Sequence, residues 1–433
     1  MEFPMLPNPT SSAAQNLSDG IGAFAKRFSG IDWVMVAALA MLAFWVATFA
    51  TSIGTSGGWL LEANGNPANN DFNNVYTAGQ LVLAGEPAAA YDWDRHKQMQ
   101  RELTGDVKSA FFPWPYPPTF LFIASILALM PYAVSMFTWA VATFAMYAIA
   151  LQRITPTSTQ FAVLLATPAA WFSMFVGQNG AFTAALVGFA LVTLPSQPVI
   201  AGICIGLLSY KPHLGLLFPI ALAAAGHWRA FFAAGVTVAA LAIASVLAYG
   251  TGPWLAMPAQ LEHVMAIVKV ADYPQRLQSV FGLSISLALP PQVASALQLL
   301  LLLGLAAATA WIWKQKDVAY DLKAAFLVAA LTLASPYQFV YDLPVLTIAQ
   351  AFFLRYLWRE NALGLTDICM LILVNELVYL YASFSIPLGQ FASMVLAGYV
   401  LHKIRQNLAQ QSDRQRPAAN LGRTCIDSPA LSA

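Results

Sequence analysis

Residues 33–53 read WVMVAALAMLAFWVATFATSI, twenty-one residues without a charge. A helix of about 20 residues rises about 30 Å, the thickness of a bilayer's hydrocarbon core. The polar segment ahead of it, residues 1–32 with Lys26 and Arg27, is longer than the charged region of a cleaved signal peptide. Residues 33–53 therefore read as a retained first span. Working outward, further apolar segments fall near 118–131, 133–151, 161–176, 180–194, 198–210, 212–225, 230–249, 292–313, 321–335, 339–354, 366–382 and 387–402. They are rich in Leu, Ala and Phe and do not alternate, which favours helices over a barrel. Of the 433 residues, 59% are hydrophobic and only 9% charged, against about 25% charged in a soluble domain. Mean hydropathy is +0.63.

The expected fold class is an all-α polytopic membrane protein with about twelve transmembrane helices. Two polar stretches, 54–117 and 250–291, read as large extracytoplasmic loops. The orientation follows from Lys and Arg in the other links: Arg229; Lys314, Lys316 and Lys323; Arg355 and Arg359; then Lys403, Arg405, Arg414, Arg416 and Arg423. The expected division is a cytoplasmic segment 1–32, a transmembrane domain 33–402, and a cytoplasmic, disordered tail 403–433. Seven apolar segments separate the two loops, and both loops share a side only if an even number cross. Either 198–210 and 212–225 form one helix kinked at Lys211-Pro212, or one of the pieces at 118–194 is re-entrant. Net charge is +1, so no nucleic-acid partner is expected. Cys204, Cys369 and Cys425 suggest no disulfide framework.

Several polar clusters are costly at membrane depth unless they serve a site. The first loop holds Asn69-Asn70-Asp71-Phe72-Asn73-Asn74-Val75-Tyr76. A carboxylate there can take a proton from an attacking hydroxyl, and the same residue types also make turns and helix caps. Phe111-Phe112-Pro113-Trp114-Pro115-Tyr116-Pro117-Pro118 is stiffened by proline. Its aromatics suit the headgroup level, and Tyr116 can face a substrate. Gln178 and Asn179 interrupt an apolar run, either lining a cavity or making a turn. Lys211 with His213 sits between apolar segments. It needs an anion, for which a lipid phosphate is suited, or a route for snorkelling. In the second loop Arg276 can fork onto phosphate or be solvated. Tyr341 and Asp342 open a helix on the same side, where Asp342 can also act as a cap. His96, His213, His227, His263 and His402 are scattered, so no metal site is expected. Neither a P-loop nor a dinucleotide fingerprint is present, and no cofactor is expected.

The order of these blocks resembles glycosyltransferase family 87 (GT87), of the GT-C fold. It runs from an Asp after the first span, through Gly85-Glu86-Pro87 with Tyr91-Asp92, Tyr116-Pro117-Pro118, Gly177-Gln178-Asn179 and Lys211-Pro212. It ends with Gln278-Ser279, then Ser335-Pro336-Tyr337 with Tyr341-Asp342. The likeness covers roughly residues 33–345 and departs at Arg276-Leu277-Gln278-Ser279, where the family pattern has an Asn beside the Gln. The resemblance implies an inverting hexosyltransferase on the outer face of the cytoplasmic (inner) membrane. It would move a sugar, mannose favoured, from a polyprenyl-phosphate donor to a glycolipid or glycan acceptor. It implies Asp71 as general base. Lys211, His213 and Arg276 would face the donor phosphate. Asn70, Tyr76, Tyr116, Gln178, Asn179, Gln278, Ser279, Tyr341 and Asp342 would contact substrate. The alternative is a secondary transporter, which also accounts for many spans and for Lys211, though less well for two long loops on one side.

Overall fold

The computed structural model describes residues 32–421 apart from 55–58, 63–64, 69, 106–110, 269–275 and 385. Lys26, Arg27, Asn69, Lys269, Asp272, Arg423 and Cys425 lie outside the described residues. Within them every regular element is helical, and β pairing is limited to two isolated bridges, Leu61 with Pro67 and Leu277 with Phe339. Four helices are long and apolar enough to cross a membrane: α1 (Trp33–Gly54), α5 (Tyr132–Ile154), α11 (Trp228–Tyr249) and α14 (Pro291–Lys314). The protein is an all-α membrane protein. Shorter helices complete the bundle.

The two long loops are themselves helical. The first carries α2 (Phe72–Leu83) and α3 (Trp93–Thr104), and the second carries α12 (Gly252–Val268) and α13 (Val280–Ser286). The segment expected at 118–131 becomes a 3-10 turn and α4 (Leu121–Ala128), packed on α2. Gly79 makes this possible, because a Cβ there would overlap the Ala124 carbonyl. Gln80 Nε2 donates to Ala128 O (2.9 Å) and the Tyr76 hydroxyl to Met130 O (2.9 Å). The next helix, α5, starts where the Tyr132 hydroxyl meets Asn70 Oδ1 (3.1 Å). Segment 118–131 therefore begins and ends beside the first loop.

Segments 198–210 and 212–225 do not fuse into one kinked helix. They form α9 (Pro198–Leu207) and α10 (Phe218–Ala225), separated by short 3-10 turns on either side of Lys211. Lys211 precedes a proline, which disfavours helical backbone, and it sits at φ −131°, ψ 70°. Gly202 and Gly206 let α9 lie directly on α11, with Ala230, Ala234 and Thr237 at the contact, the close approach that small residues give in membranes.

The segment expected at 161–176 is broken into α6 (Ser158–Leu165) and α7 (Pro168–Phe175). Pro168 has no N–H, so the break leaves carbonyls that lipid cannot satisfy. Side chains satisfy them instead. Thr167 Oγ1 donates to Leu164 O (2.7 Å), Trp171 Nε1 to Leu165 O (2.9 Å) and Trp45 Nε1 to Ala166 O (3.0 Å). Trp59 Nε1 does the same for Phe175 O at the end of α7 (3.0 Å).

The chain continues through α8 (Gly180–Thr193), α15 (Tyr320–Ala334), α16 (Pro344–Arg359), α17 (Leu365–Tyr379) and α18 (Leu388–Leu421). Helix α18 carries on to Leu421, so the tail expected to be disordered from 403 is helical that far. Its Ala, Gln and Arg residues are good helix formers. Helix α15 runs from Asp321 to the Ser335–Asp342 turn, about 20 Å by helical rise. At the Asp321 end the buried carboxylate holds Arg355 Nε (3.0 Å) and Arg359 Nη1 (3.0 Å), and Asp367 holds Lys403 Nζ (2.7 Å). Cations thus gather at one end of the bundle, and both long loops lie at the other.

Candidate active site

Asp71 occupies the N-cap position of α2, yet its carboxylate caps nothing. Asn70 does that work: its Oδ1 accepts the Phe72 N–H (3.0 Å), and its Nδ2 donates to Trp59 O (3.2 Å). The Asp71 side chain is left to face a cavity of about 350 Å³. There Gln178 Nε2 donates to Asp71 Oδ2 (2.9 Å). Burial pushes the carboxyl up to about 6, against the opposing Gln178 hydrogen bond and the charges of Arg276 and Lys211, while Asp342 adds to the rise.

Gln178 and Asn179 stand in the turn between α7 and α8, opened by Gly177 at φ +70°, which glycine adopts without strain. Tyr116 comes from the proline-stiffened run before α4. Its hydroxyl accepts from Asn179 Nδ2 (2.9 Å) and donates to Gln178 Oε1 (3.2 Å). The ring lies against Trp114, Phe120 and Tyr210.

Across the cavity Lys211 forms a buried ion pair with Asp342. Its ammonium also lies 5.3 Å from the Tyr341 ring centre and 6.0 Å from that of Tyr116. The anion that an intramembrane lysine requires is therefore supplied by the protein, and Asp342 serves as that partner. Gly180 holds this wall in register, since a Cβ there would overlap the Tyr341 carbonyl and crowd Ser173 Oγ.

Of the residues singled out in the sequence, Asp71, Tyr116, Gln178, Lys211, His213, Tyr341 and Asp342 line the one cavity, and Asn179 bonds to it from behind. Arg276 acts on Asp71 by charge from outside the lining. The others are engaged by the framework and line no part of the cavity. Asn70 and Tyr76 build the α2 corner. The Gln278 backbone N–H donates to Gln338 O (2.6 Å), and its Oε1 accepts the Gly389 N–H (2.8 Å). Ser279 caps α13 and donates to Pro336 O (2.6 Å). Asn70 and Tyr76 thus fix the first loop, while Gln278 and Ser279 tie the second loop to the Ser335–Asp342 turn and to Gly389.

Residues 114–336 match glycosyltransferase family 87, about half of the chain. The chain belongs to glycosyltransferase family 87. Comparison with curated proteins gave no match. As a membrane-embedded member of family 87, the protein is a glycosyltransferase, and the matched region carries Tyr116, the Gln178-Asn179 turn, Lys211 and the second loop. Asp71 and Asp342 fall outside it.

Sequence reasoning missed part of the cavity wall. Met257, Leu261, Val264 and Met265 of α12 line it, beside Asn74 of the first-loop cluster and Tyr210 next to Lys211. The α12 residues recur at helical spacing inside a stretch read as loop, and that periodicity was the available signal. Asn74 Nδ2 donates to Pro113 O (3.3 Å), joining α2 to the proline-rich run.

Proposed function

We propose that this family 87 enzyme moves a hexose, mannose favoured, from a polyprenyl-phosphate donor to a glycolipid or glycan acceptor. The observation that carries the reading is one cavity holding a carboxylate, Asp71, on one wall and an ammonium, Lys211, on the other. The chemistry is a single displacement. The acceptor oxygen forms a bond to the anomeric carbon, the carbon–oxygen bond to the phosphate breaks, and Asp71 takes the acceptor's proton. The leaving group departs as polyprenyl phosphate, and the anomeric centre is inverted. A carboxyl poised near 6 is mostly ionised at neutral pH and basic enough to accept that proton. Lys211 has three N–H donors, so it can hold the phosphate while keeping Asp342. The Arg276 charge adds to the stabilisation of the departing anion. The apolar α12 residues suit a lipid-borne donor.

The reading extends to topology. With 118–131 staying beside the first loop, and α6 and α7 running on as one broken pass, six passes separate the two loops and twelve make the whole domain, 33–402. That is the GT-C-like arrangement expected from the resemblance. The cations at the Asp321 end would be cytoplasmic and the cavity extracytoplasmic. The experiment is a transfer assay with the purified protein in vesicles. It should label acceptor lipid or glycan from radiolabelled polyprenyl-phosphate mannose but not from a sugar nucleotide, and Asp71→Ala should abolish labelling. Labelling from the nucleotide sugar alone would overturn the donor assignment.

A further inference from the structure

Behind Asp71 three side chains form a hydrogen-bond chain that the displacement chemistry does not use. Asn179 Nδ2–H donates to the Tyr116 oxygen (2.9 Å), Tyr116 O–H to Gln178 Oε1 (3.2 Å), and Gln178 Nε2–H to Asp71 Oδ2 (2.9 Å). All three residues are buried. A phenol has one proton, and here it goes to the Gln178 carbonyl. The Gln178 amide must then turn its N–H toward Asp71, which must accept. Asp71 Oδ2 is thus engaged as an acceptor, and Oδ1 is the oxygen outside the chain. One atom is left over: Asn179 Oδ1 is buried without a hydrogen-bond partner.

When Asp71 takes the acceptor's proton on Oδ1, Oδ2 keeps its carbonyl character and goes on accepting from Gln178 Nε2–H. The chain can therefore hold the carboxyl in one orientation before and after the proton moves.

We propose that Gln178, Tyr116 and Asn179 are positioning residues that hold Asp71 with Oδ2 occupied and Oδ1 presented to the acceptor hydroxyl. The role rests on Asp71 being the base. The other charged groups acting on Asp71 are Arg276, Lys211 and Asp342, and they come from the second loop, the α9–α10 turn and the turn before α16. His213 faces the same cavity. None of them takes part in the chain, so removing its links leaves those charges in place.

The test reads the Asp71 carboxyl directly, by infrared titration of the purified protein with Asp71→Asn as the blank. In the wild type the midpoint is expected near 6. Tyr116→Phe keeps the ring in its aromatic setting and removes only the hydroxyl. Gln178→Leu removes the amide. Gln178→Leu loses the hydrogen bond that favours the charged form and should raise the midpoint by about half a unit to one unit; Tyr116→Phe frees the Gln178 amide that donates it and should move the midpoint the same way by less, and the acid limb of transfer should move with it. A midpoint unmoved in both variants overturns the chain's role. If Asp71→Asn is inactive at the same time, the base assignment stands without it. Conversely, a shifted midpoint with an active Asp71→Asn enzyme would sink the base reading and leave the hydrogen-bond chain intact.

Discussion

Replacing Lys211 by Met isolates what the cavity's ion pair contributes. Methionine keeps most of the apolar stem and removes the ammonium. Lys211 is 5% exposed and Asp342 1%, so the variant strands a carboxylate in a wall that already faces Asp71. Breaking a buried pair from one side costs about 3–5 kcal/mol, because the remaining charge is uncompensated, whereas removing both charges is often near neutral. Lys211→Met should therefore destabilise by about 3–5 kcal/mol, Asp342→Leu by a similar amount, and the double variant by no more than about 1 kcal/mol. The coupling is read as a double-mutant cycle from reversible unfolding in detergent, followed by tryptophan fluorescence. The double variant should still lack transfer activity, since it has no ammonium to meet the donor phosphate. Additive single losses, or singles costing under about 1 kcal/mol, would refute a buried, mutually neutralising pair.

Other perturbations act at separate points. Gly180→Ala forces a Cβ into the Tyr341 carbonyl and should cost about 1–3 kcal/mol of stability together with activity, whereas Gly235→Ala, with open space around it, should leave both unchanged. Transfer measured as kcat/KM against pH should fall on the acid side with a midpoint near 6, because the base must be ionised and burial raises it to about 6; a flat profile down to pH 4.5 would contradict this. His96, buried in α3, is depressed from 6.5 to about 4 by desolvation, against the neighbouring Ala90 and Phe112 carbonyls. The unfolded chain binds its proton first, so stability is full above pH 6.5 and declines as pH falls toward 4, by up to about 3 kcal/mol; unfolding midpoints of wild type and His96→Leu between pH 7 and 4.5 should show the variant losing less.

How much of this was legible depended on whether the deciding interaction was local. The break at Lys211 follows from a residue preceding proline, and the cost of a lysine between apolar runs pointed to an anion nearby. That the anion is Asp342 was not legible, since charge alone does not choose between acids 131 positions away. Segment 118–131 is as apolar as a span, but what keeps it beside the first loop is backbone contact at Gly79 on another helix. Hydropathy carries no record of such contacts. The same holds for α6 and α7, where Trp45, 121 residues away, completes the broken ladder. Asp71 was readable as a candidate base, and its escape from capping duty became visible only when Asn70 was seen making the turn. The framework bonds of Gln278 and Ser279 were not legible, because a polar residue that fastens a loop looks, in one dimension, like one that binds sugar.

The central claim is that the Asp71 carboxylate removes the acceptor's proton in the cavity it shares with Lys211. The most direct test is the single-turnover rate of sugar transfer by Asp71→Asn at pH 7.5, with donor affinity measured on the same preparation. The account predicts donor binding close to wild type and a rate lowered by about 10²–10⁴-fold, the range for loss of a general base. A folded Asp71→Asn enzyme that transfers within a few-fold of the wild-type rate would contradict it.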